Sequence, residues 1–328
     1  MIVVWRVTQH CNLSCPFCSY DRTLKGPRTE AELEQVIAFA AVLAAYQRTT
    51  HDRVLVSWIG GEPFMWRSLR EATVRLSKDF GLRVSATTNG TALGSEDVRQ
   101  LILDHFTELT ISIDAPGVVH DALRGWSGGF EMLRRVVPQL VREKRARGHG
   151  PLLRINTILM RDTLERFEEL CLMLAEWGVN EITFNQLGGR DRPEFFPEHR
   201  LRSEDVTALG AILPALRETL AVRGVRLQGG SGYLERVRAS AAGECLPVSD
   251  CGPGRRFLFV DERGFAAPCN YTAEETGVSL AELDSVEALC ALPMRLAAAR
   301  ERCRPAACED CHSTQVWEKF GSMKQNHF

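Results

Sequence analysis

Long hydrophobic runs are missing from this chain. Its longest apolar-looking stretch, Val36 to Tyr46, is too short to span a bilayer and reads as a core helix. The N-terminus, Met1-Ile2-Val3-Val4-Trp5, lacks the charged region and the small-residue cleavage site of a secretory signal. An excess of either charge is missing too. The chain has 40 Lys and Arg against 42 Asp and Glu, a formal net charge of −2, which gives no electrostatic footprint for nucleic acid. Repeats and low-complexity tracts do not stand out, and the composition excludes disorder, collagen and a coiled coil. Together these absences point to a cytoplasmic protein with neither a membrane nor a nucleic acid as partner, in a compartment where thiols stay reduced.

What the chain has in excess is cysteine, 11 in 328 residues. That is too many for an ordinary cytosolic enzyme. The odd count and the length argue against a disulfide scaffold, so metal binding is the natural inference. Cys11, Cys15 and Cys18 open the chain. Seven more lie between Cys245 and Cys311, and only Cys171 falls between the groups, inside an apolar helical pattern where a buried thiol is expected. The length suits two domains, or one barrel-sized domain with an appendage.

Between the cysteine groups, strand and helix patterns alternate. Strands are expected at Ile2–Thr8, Arg53–Trp58, Arg83–Thr87, Glu108–Ile113, Leu152–Leu159 and Glu181–Asn185, short and rich in β-branched residues. Helical patterns lie near 30–47, 67–79, 95–105, 129–147, 163–177 and 203–223, and Gly178 closes the fifth of them. The expected fold is α/β: six right-handed β/α units forming a partial, TIM-like (β/α)6 barrel over residues 1–227. The glycine-rich stretch Gln228-Gly229-Gly230-Ser231-Gly232 marks a boundary. A small cysteine-rich domain is expected over 228–328, with a hairpin at Phe257–Val260 and Phe265–Ala267 and a helix near 279–300.

The stretch Cys11-Asn12-Leu13-Ser14-Cys15-Pro16-Phe17-Cys18 places three thiols directly after the first strand. A disulfide is disfavoured by the compartment. Zinc needs a fourth ligand such as His10, and a redox Cys-x-x-Cys uses only two of the three. An iron–sulfur cluster normally takes four cysteines, so three leave one iron open to an outside ligand. Further signals follow the later strands: Gly60-Gly61-Glu62-Pro63, then Thr87-Thr88-Asn89-Gly90, then Ile111-Ser112-Ile113-Asp114-Ala115-Pro116 with His120-Asp121 and Arg124-Gly125 behind it. The C-terminal ends of barrel strands are where a site is built. The first two segments taken alone also read as ordinary turns.

Taken in order, these motifs resemble the radical S-adenosylmethionine (SAM) superfamily, whose signature is Cys-x3-Cys-x2-Cys with an aromatic, here Phe17, before the third cysteine. The resemblance implies a 4Fe-4S cluster on Cys11, Cys15 and Cys18, with SAM chelating the open iron. It implies SAM contacts from Gly60, Gly61, Glu62 and Pro63, from Thr88 and Asn89, and from Ser112. Arg124 is a further candidate, with a structural ion pair to Asp114 as the alternative, and Arg154 is expected to reach the SAM carboxylate unless it is a barrel-rim charge. The Ser-x-Asp…His-Asp…Arg pattern is similar to the SPASM/Twitch branch, from which Ala115 departs by replacing a glycine.

The C-terminal spacing Cys251-x12-Gly264-x4-Cys269, followed by Cys308-x2-Cys311, resembles the start of a SPASM domain. The tail Ser313–Phe328 has no cysteine, which points to the shortened Twitch form. That form implies one auxiliary 4Fe-4S cluster on Cys251, Cys269, Cys308 and Cys311. Cys245, Cys290 and Cys303 are then unassigned; a second auxiliary cluster or zinc are the alternatives. The implied chemistry is reductive cleavage of SAM to a 5′-deoxyadenosyl radical that abstracts hydrogen from a substrate, in an oxidoreductase of dehydrogenase-like type. A donor such as flavodoxin or ferredoxin supplies the electron. With ten residues before Cys11 and no leader-binding element there, a small-molecule substrate is expected, with a ribosomal-peptide maturase as the alternative. A non-catalytic iron–sulfur electron-transfer protein is the alternative of another class. Candidate substrate contacts are Gln9, Tyr20, Trp58, Asn156, Asn185 and Gln186, with a core place for Trp58 and local backbone bonding for the amides as the alternatives; the charged loop Gly188–Pro193 is a lid or a plain connection.

Overall fold

The computed structural model describes residues 1–317 and 319. Among the described residues ten strands form one sheet: β1 Ile2–Thr8, β2 Leu55–Gly60, β3 Arg83–Thr88, β4 Glu108–Ser112, β5 Leu152–Leu159, β6 Glu181–Gln186, β7 Arg226–Leu227, β8 Phe257–Val260, β9 Phe265–Ala267 and β10 Val278–Ser279. Their order is β10-β9-β8-β1-β2-β3-β4-β5-β6-β7. Strands β1 to β7 pair in parallel, each with its successor in sequence. The sheet is not closed: β7 lies at one edge and β10 at the other. This is the partial TIM-like barrel expected from the sequence, with a short seventh strand that two residues were too few to signal.

The six main strands have two-sided chemistry. On β5, Leu153, Ile155 and Leu159 are buried in the outer core, and on β6 so are Ile182 and Phe184. The alternate residues Arg154, Asn156, Glu181, Thr183 and Asn185 line a cavity inside the barrel instead. A strand's side chains switch faces every residue, so one face packs under the helices and the other surrounds the chamber. The outer layer includes α1 Leu33–Thr50, α2 Leu69–Val74, α3 Glu96–His105, α4 Val118–Arg124 and α5 Gly129–Arg147. Cys171 is fully buried in this layer, and burial pushes its thiol pKa up.

The C-terminal hairpin continues the barrel sheet. β8 pairs in parallel with β1, Trp5 opposite Val260, and β9 returns antiparallel. Its turn needs Gly264, which has φ +81° and where a Cβ would lie 2.2 Å from Gln35 Nε2. Residues 312–315 and Lys319 line the barrel cavity together with Gln228 beside β7 and Phe257 of β8, so this segment covers the open seam. No helix among the described residues is long and apolar enough to cross a membrane.

Candidate functional site: the cysteine loop at the barrel mouth

β1 ends at Thr8, and the chain turns at once into the cysteine loop. Cys15 is buried, while Cys11 and Cys18 are half-buried. Backbone bonds fix the loop's shape: Cys18 N to Cys15 O at 3.1 Å, Arg22 N to Leu13 O at 2.9 Å and Ser14 N to Arg124 O at 3.3 Å. Burial pushes all three thiols up, Cys18 to about 12, and for Cys15 and Cys18 repulsion from neighbouring triad thiolates adds to it. Thiolates that repel one another need positive charge among them, which metal ligation supplies. A thiol-only donor set is that of iron–sulfur and other soft-metal centres. Among the described residues no three His, Cys, Asp or Glu side chains close on one point as a single bare ion would require.

The turn after β2 presses against this loop. A Cβ on Gly60 would lie 2.2 Å from Thr8 O, and one on Gly61 would lie 2.1 Å from His10 O. The two glycines therefore admit the protein's own backbone, and His10 serves here through its carbonyl, which accepts from Glu62 N at 2.8 Å. Pro63 opens a single 3-10 turn that the Glu62 carboxylate caps at Phe64 N, 3.1 Å. That carboxylate also accepts from Thr88 Oγ1 at 2.8 Å and from Asn89 N at 2.7 Å, joining the ends of β2 and β3. Burial raises Glu62 to about 7, opposed by these three donors. Asn89 continues the chain of contacts: its Nδ2 donates to Asn12 Oδ1 at 2.9 Å and lies 3.9 Å from Cys11 Sγ.

On the far side, Arg124 at the end of α4 forks onto Asp114 through Nε at 2.6 Å and an Nη at 3.0 Å. Asp114 also accepts from Ile158 N at 2.9 Å. The guanidinium lies 5.3 Å from the centroid of Phe17 and 4.0 Å from Cys15 Sγ. The ion pair weighed from the sequence is thus formed, and it braces the cysteine loop. Gly125 follows with φ +58°, where a Cβ would strike Ser14 Oγ. Ser112, the last residue of β4, stands opposite Asn156 of β5.

Two candidates take the alternative reading. Arg154 is the third residue of β5 and is bound to Glu108 at 3.0 Å and Glu181 at 2.7 Å, each the first residue of its strand. The strand's C-terminal end, Leu159, lies five residues on, roughly 16 Å away at about 3.3 Å per residue. Arg154 belongs to the opposite end of the barrel from the cysteine loop. Trp58 faces outward, fully buried between Trp5 and Trp66 with Nε1 donating to Thr73, because its place in the strand's alternation is on the helix side.

The remaining candidates separate into two places. Gln9 Nε2 donates to Glu262, which also takes Thr29 and Arg6, and Arg6 donates to Tyr20 Oη at 3.1 Å. Asn156 and Asn185 face the cavity of ≈ 750 Å³ inside the barrel, joined by a 3.1 Å bond. Gln186 ends β6 beside Asn185. In the loop 188–193, Arg190 donates to Asp310 O at 3.0 Å and stacks 5.0 Å from Tyr271, and Arg192 pairs with Asp21 at 3.3 Å. The loop therefore ties the barrel to both cysteine regions. Sequence reasoning missed Glu262 and Lys319. Glu262 stood in what reads as a polar hairpin turn, and Lys319 lies where no periodicity signals burial.

In the C-terminal region, Cys251, Cys269, Cys308 and Cys311 line one cavity of ≈ 590 Å³. Arg300 donates to Cys251 Sγ at 3.1 Å. Burial raises the thiols of Cys251, Cys308 and Cys311, and the mutual repulsion of the group's thiolates raises them further. Cys245, Cys290 and Cys303 are exposed and outside that lining.

Comparison with known proteins finds relatives over most of the chain. The chain is 24% identical over 288 residues to an AdoMet-dependent heme synthase of Oleidesulfovibrio alaskensis, covering 84% of this chain and 71% of that protein. It is 26% identical over 277 residues to a PqqA peptide cyclase of Xanthomonas euvesicatoria, covering 82% and 67%. Its fold matches that of Streptococcus suis SuiB bound to S-adenosylmethionine, with a TM-score of 0.66 at 14% identity, over 94% of this chain and 71% of that one. The family model of the radical SAM superfamily matches residues 5–174, from β1 with its cysteine loop to the helix Phe167–Trp177, and the chain belongs to that superfamily.

Proposed function

We propose that this chain cleaves SAM reductively and uses the radical to oxidise a small polar molecule held in the barrel cavity. The observation that carries the reading is the loop of Cys11, Cys15 and Cys18 at the sheet's C-terminal edge, fastened from three sides by the Glu62 turn, Asn89 and the Asp114–Arg124 pair. Cys11, Cys15 and Cys18 would hold a 4Fe-4S cluster, which with SAM would supply the one-electron chemistry that generates a 5′-deoxyadenosyl radical. A donor such as flavodoxin or ferredoxin delivers the electron. The chain's own residues position and shield. The turn 60–63 and the Thr88-Asn89 corner form one wall for SAM, and Ser112 borders it from β4. Arg124 offsets thiolate charge beside Cys15. The barrel staves exclude water, as radical chemistry requires.

The four thiols around the second cavity suit an auxiliary 4Fe-4S cluster, in a Twitch-type unit that we assign to residues 228–328, the last of them outside the described residues. Held by those cysteines, such a cluster would supply an acceptor for the electron that the substrate radical loses as it is oxidised. A second reading, modification of a peptide residue, is favoured by the similarity to a PqqA peptide cyclase. Anaerobic reconstitution tests the two-cluster assignment: about 8 Fe per chain is expected, and about 4 would remove the auxiliary cluster.

A further inference from the structure

We propose that Arg300 and Thr272 donate hydrogen bonds to two cysteine ligands of the auxiliary cluster, Cys251 and Cys269, and thereby raise its reduction potential, which fits it to accept an electron. The inference rests on reading the second cavity as the site of that cluster. Both side chains act through the thiolates and not on the substrate.

Arg300 lies in the last turn of the helix Val286–Arg302 and lines the cavity with the four cysteines. One Nη donates to Cys251 Sγ at 3.1 Å, and the other lies 3.5 Å from Val248 O. Val248 N donates in turn to Cys308 O at 3.1 Å, which ties the helix end and the Cys251 loop to the Cys308 turn. Burial raises the thiols of Cys251 and Cys308, and Arg300 is the strongest influence opposing it at each; Asp250 at the first and Glu275 at the second act the other way, more weakly. One guanidinium therefore favours the thiolate at two of the four ligands. Thr272 serves a third. Its hydroxyl lies 3.6 Å from Cys269 Sγ and accepts from Thr276 Oγ1 at 3.3 Å. A ligating thiolate carries no proton, so in this pair the Thr272 hydroxyl is the donor. Thr272 is buried, which keeps that bond away from water.

The place of the cavity gives the tuning its use. Cys269 and Tyr271 line both this cavity and the barrel cavity, so the auxiliary site shares a wall with the chamber read as the substrate's. Reduction there adds one electron, makes and breaks no bond, and leaves one more negative charge at the four thiolates. A cationic donor and a buried hydroxyl stabilise that added charge, because hydrogen bonds to the sulfurs and the net charge set such potentials. The charge-assisted bond from Arg300 is the stronger of the two. The first cysteine loop differs in this respect. Its cation, Arg124, is neutralised by Asp114 through two bonds and reaches Cys15 Sγ only at 4.0 Å. The described side-chain bonds of Arg300 go to a sulfur and a carbonyl instead. The second site is thereby biased toward taking an electron relative to the first.

The test is a redox titration of the reconstituted holoenzyme with mediators, followed by electron paramagnetic resonance. SAM binds at the first cluster, so the signal that changes on adding SAM reports that cluster and the unchanged signal reports the auxiliary one. Arg300→Met should lower the auxiliary midpoint by about tenfold in the one-electron equilibrium, about 59 mV, and leave the SAM-responsive midpoint in place. Arg300→Lys, which keeps the charge, should recover most of the shift. Thr272→Val should lower the same midpoint. Iron content separates the two ways of failing. With about 8 Fe per chain retained, an auxiliary midpoint that is unchanged or raised in Arg300→Met, or a shift of both midpoints together, overturns the proposal and leaves the cluster reading standing. About 4 Fe per chain in the wild type overturns the cluster reading, and the proposal with it. If Arg300→Met alone sheds the auxiliary iron, Thr272→Val decides, and an auxiliary midpoint that does not fall there overturns the proposal.

Discussion

His120 has no exposed surface; its Nδ1 accepts from Asp114 N at 3.2 Å, and its Nε2 is buried without a hydrogen-bond partner among the described residues. Burial lowers its pKa to about 4, against the pull of Asp114. The unfolded chain binds a proton near the ordinary value of about 6.5 and the folded chain does not, so stability falls as pH drops from 6.5 towards 4. The loss from this group is on the order of 2–3 kcal/mol. Urea unfolding across that range should show a steeper decline for the wild type than for His120→Gln; parallel curves would show that the imidazole is not buried neutral. Its neighbour Asp114 is fully buried against Arg124, and Asp114→Asn should cost about 3–5 kcal/mol, because the guanidinium beside Cys15 would lose its counter-charge. The sequence left this pair open between a SAM contact and a structural bridge. A place just past a strand and another on the following helix show that two groups can meet, but not what else they touch. The same limit explains Arg154 and Trp58: alternation was visible, but the level along the barrel and the side that faces the helices are set by the sheet's register.

Short elements decide how the loop of Cys11, Cys15 and Cys18 is held. The turn after β2 lies so close to the backbone before Cys11 that Gly61→Ala must displace one or the other. The expected outcome is a folded barrel with normal helical signal but at least about tenfold weaker SAM binding by calorimetry; unchanged affinity would mean that the turn does not shape the pocket. Strands β1 to β6 were legible because each is a short β-branched run between turn signals, and the Gly-Gly-Glu-Pro and Thr-Asn-Gly segments were legible because they follow those runs. The helix Ser231–Ala242 and the two-residue β7 were not. The first lies in what reads as a glycine-rich linker, and the second is shorter than any period. The polar inner face was present in the alternation Arg154, Asn156 and Glu181, Thr183, Asn185. A chain read for continuous apolar strands conceals it, because the strands of this open barrel bury only their outer face in apolar packing.

The whole molecule joins two cysteine regions through one sheet. β8 is parallel to β1, so the segment leading to Cys269 starts beside the strand that leads to Cys11. Glu262, in the hairpin turn, gathers Arg6, Gln9 and Thr29 from the barrel side. The cysteine arithmetic is a property at this scale. Replacing Cys308 and Cys311 with alanine should lower iron from about 8 to about 4 per chain. The Cys245, Cys290 and Cys303 serine variants should keep the full content, since all three lie outside the second cavity; a loss of about 4 Fe in any of them would call for a different ligand set. The central claim concerns the first cluster, and the most direct measurement is 5′-deoxyadenosine formed from SAM under anaerobic reduction. The wild-type chain should produce it, and the variant with Cys11, Cys15 and Cys18 all replaced by alanine should produce none. Equal formation by both proteins would contradict the account.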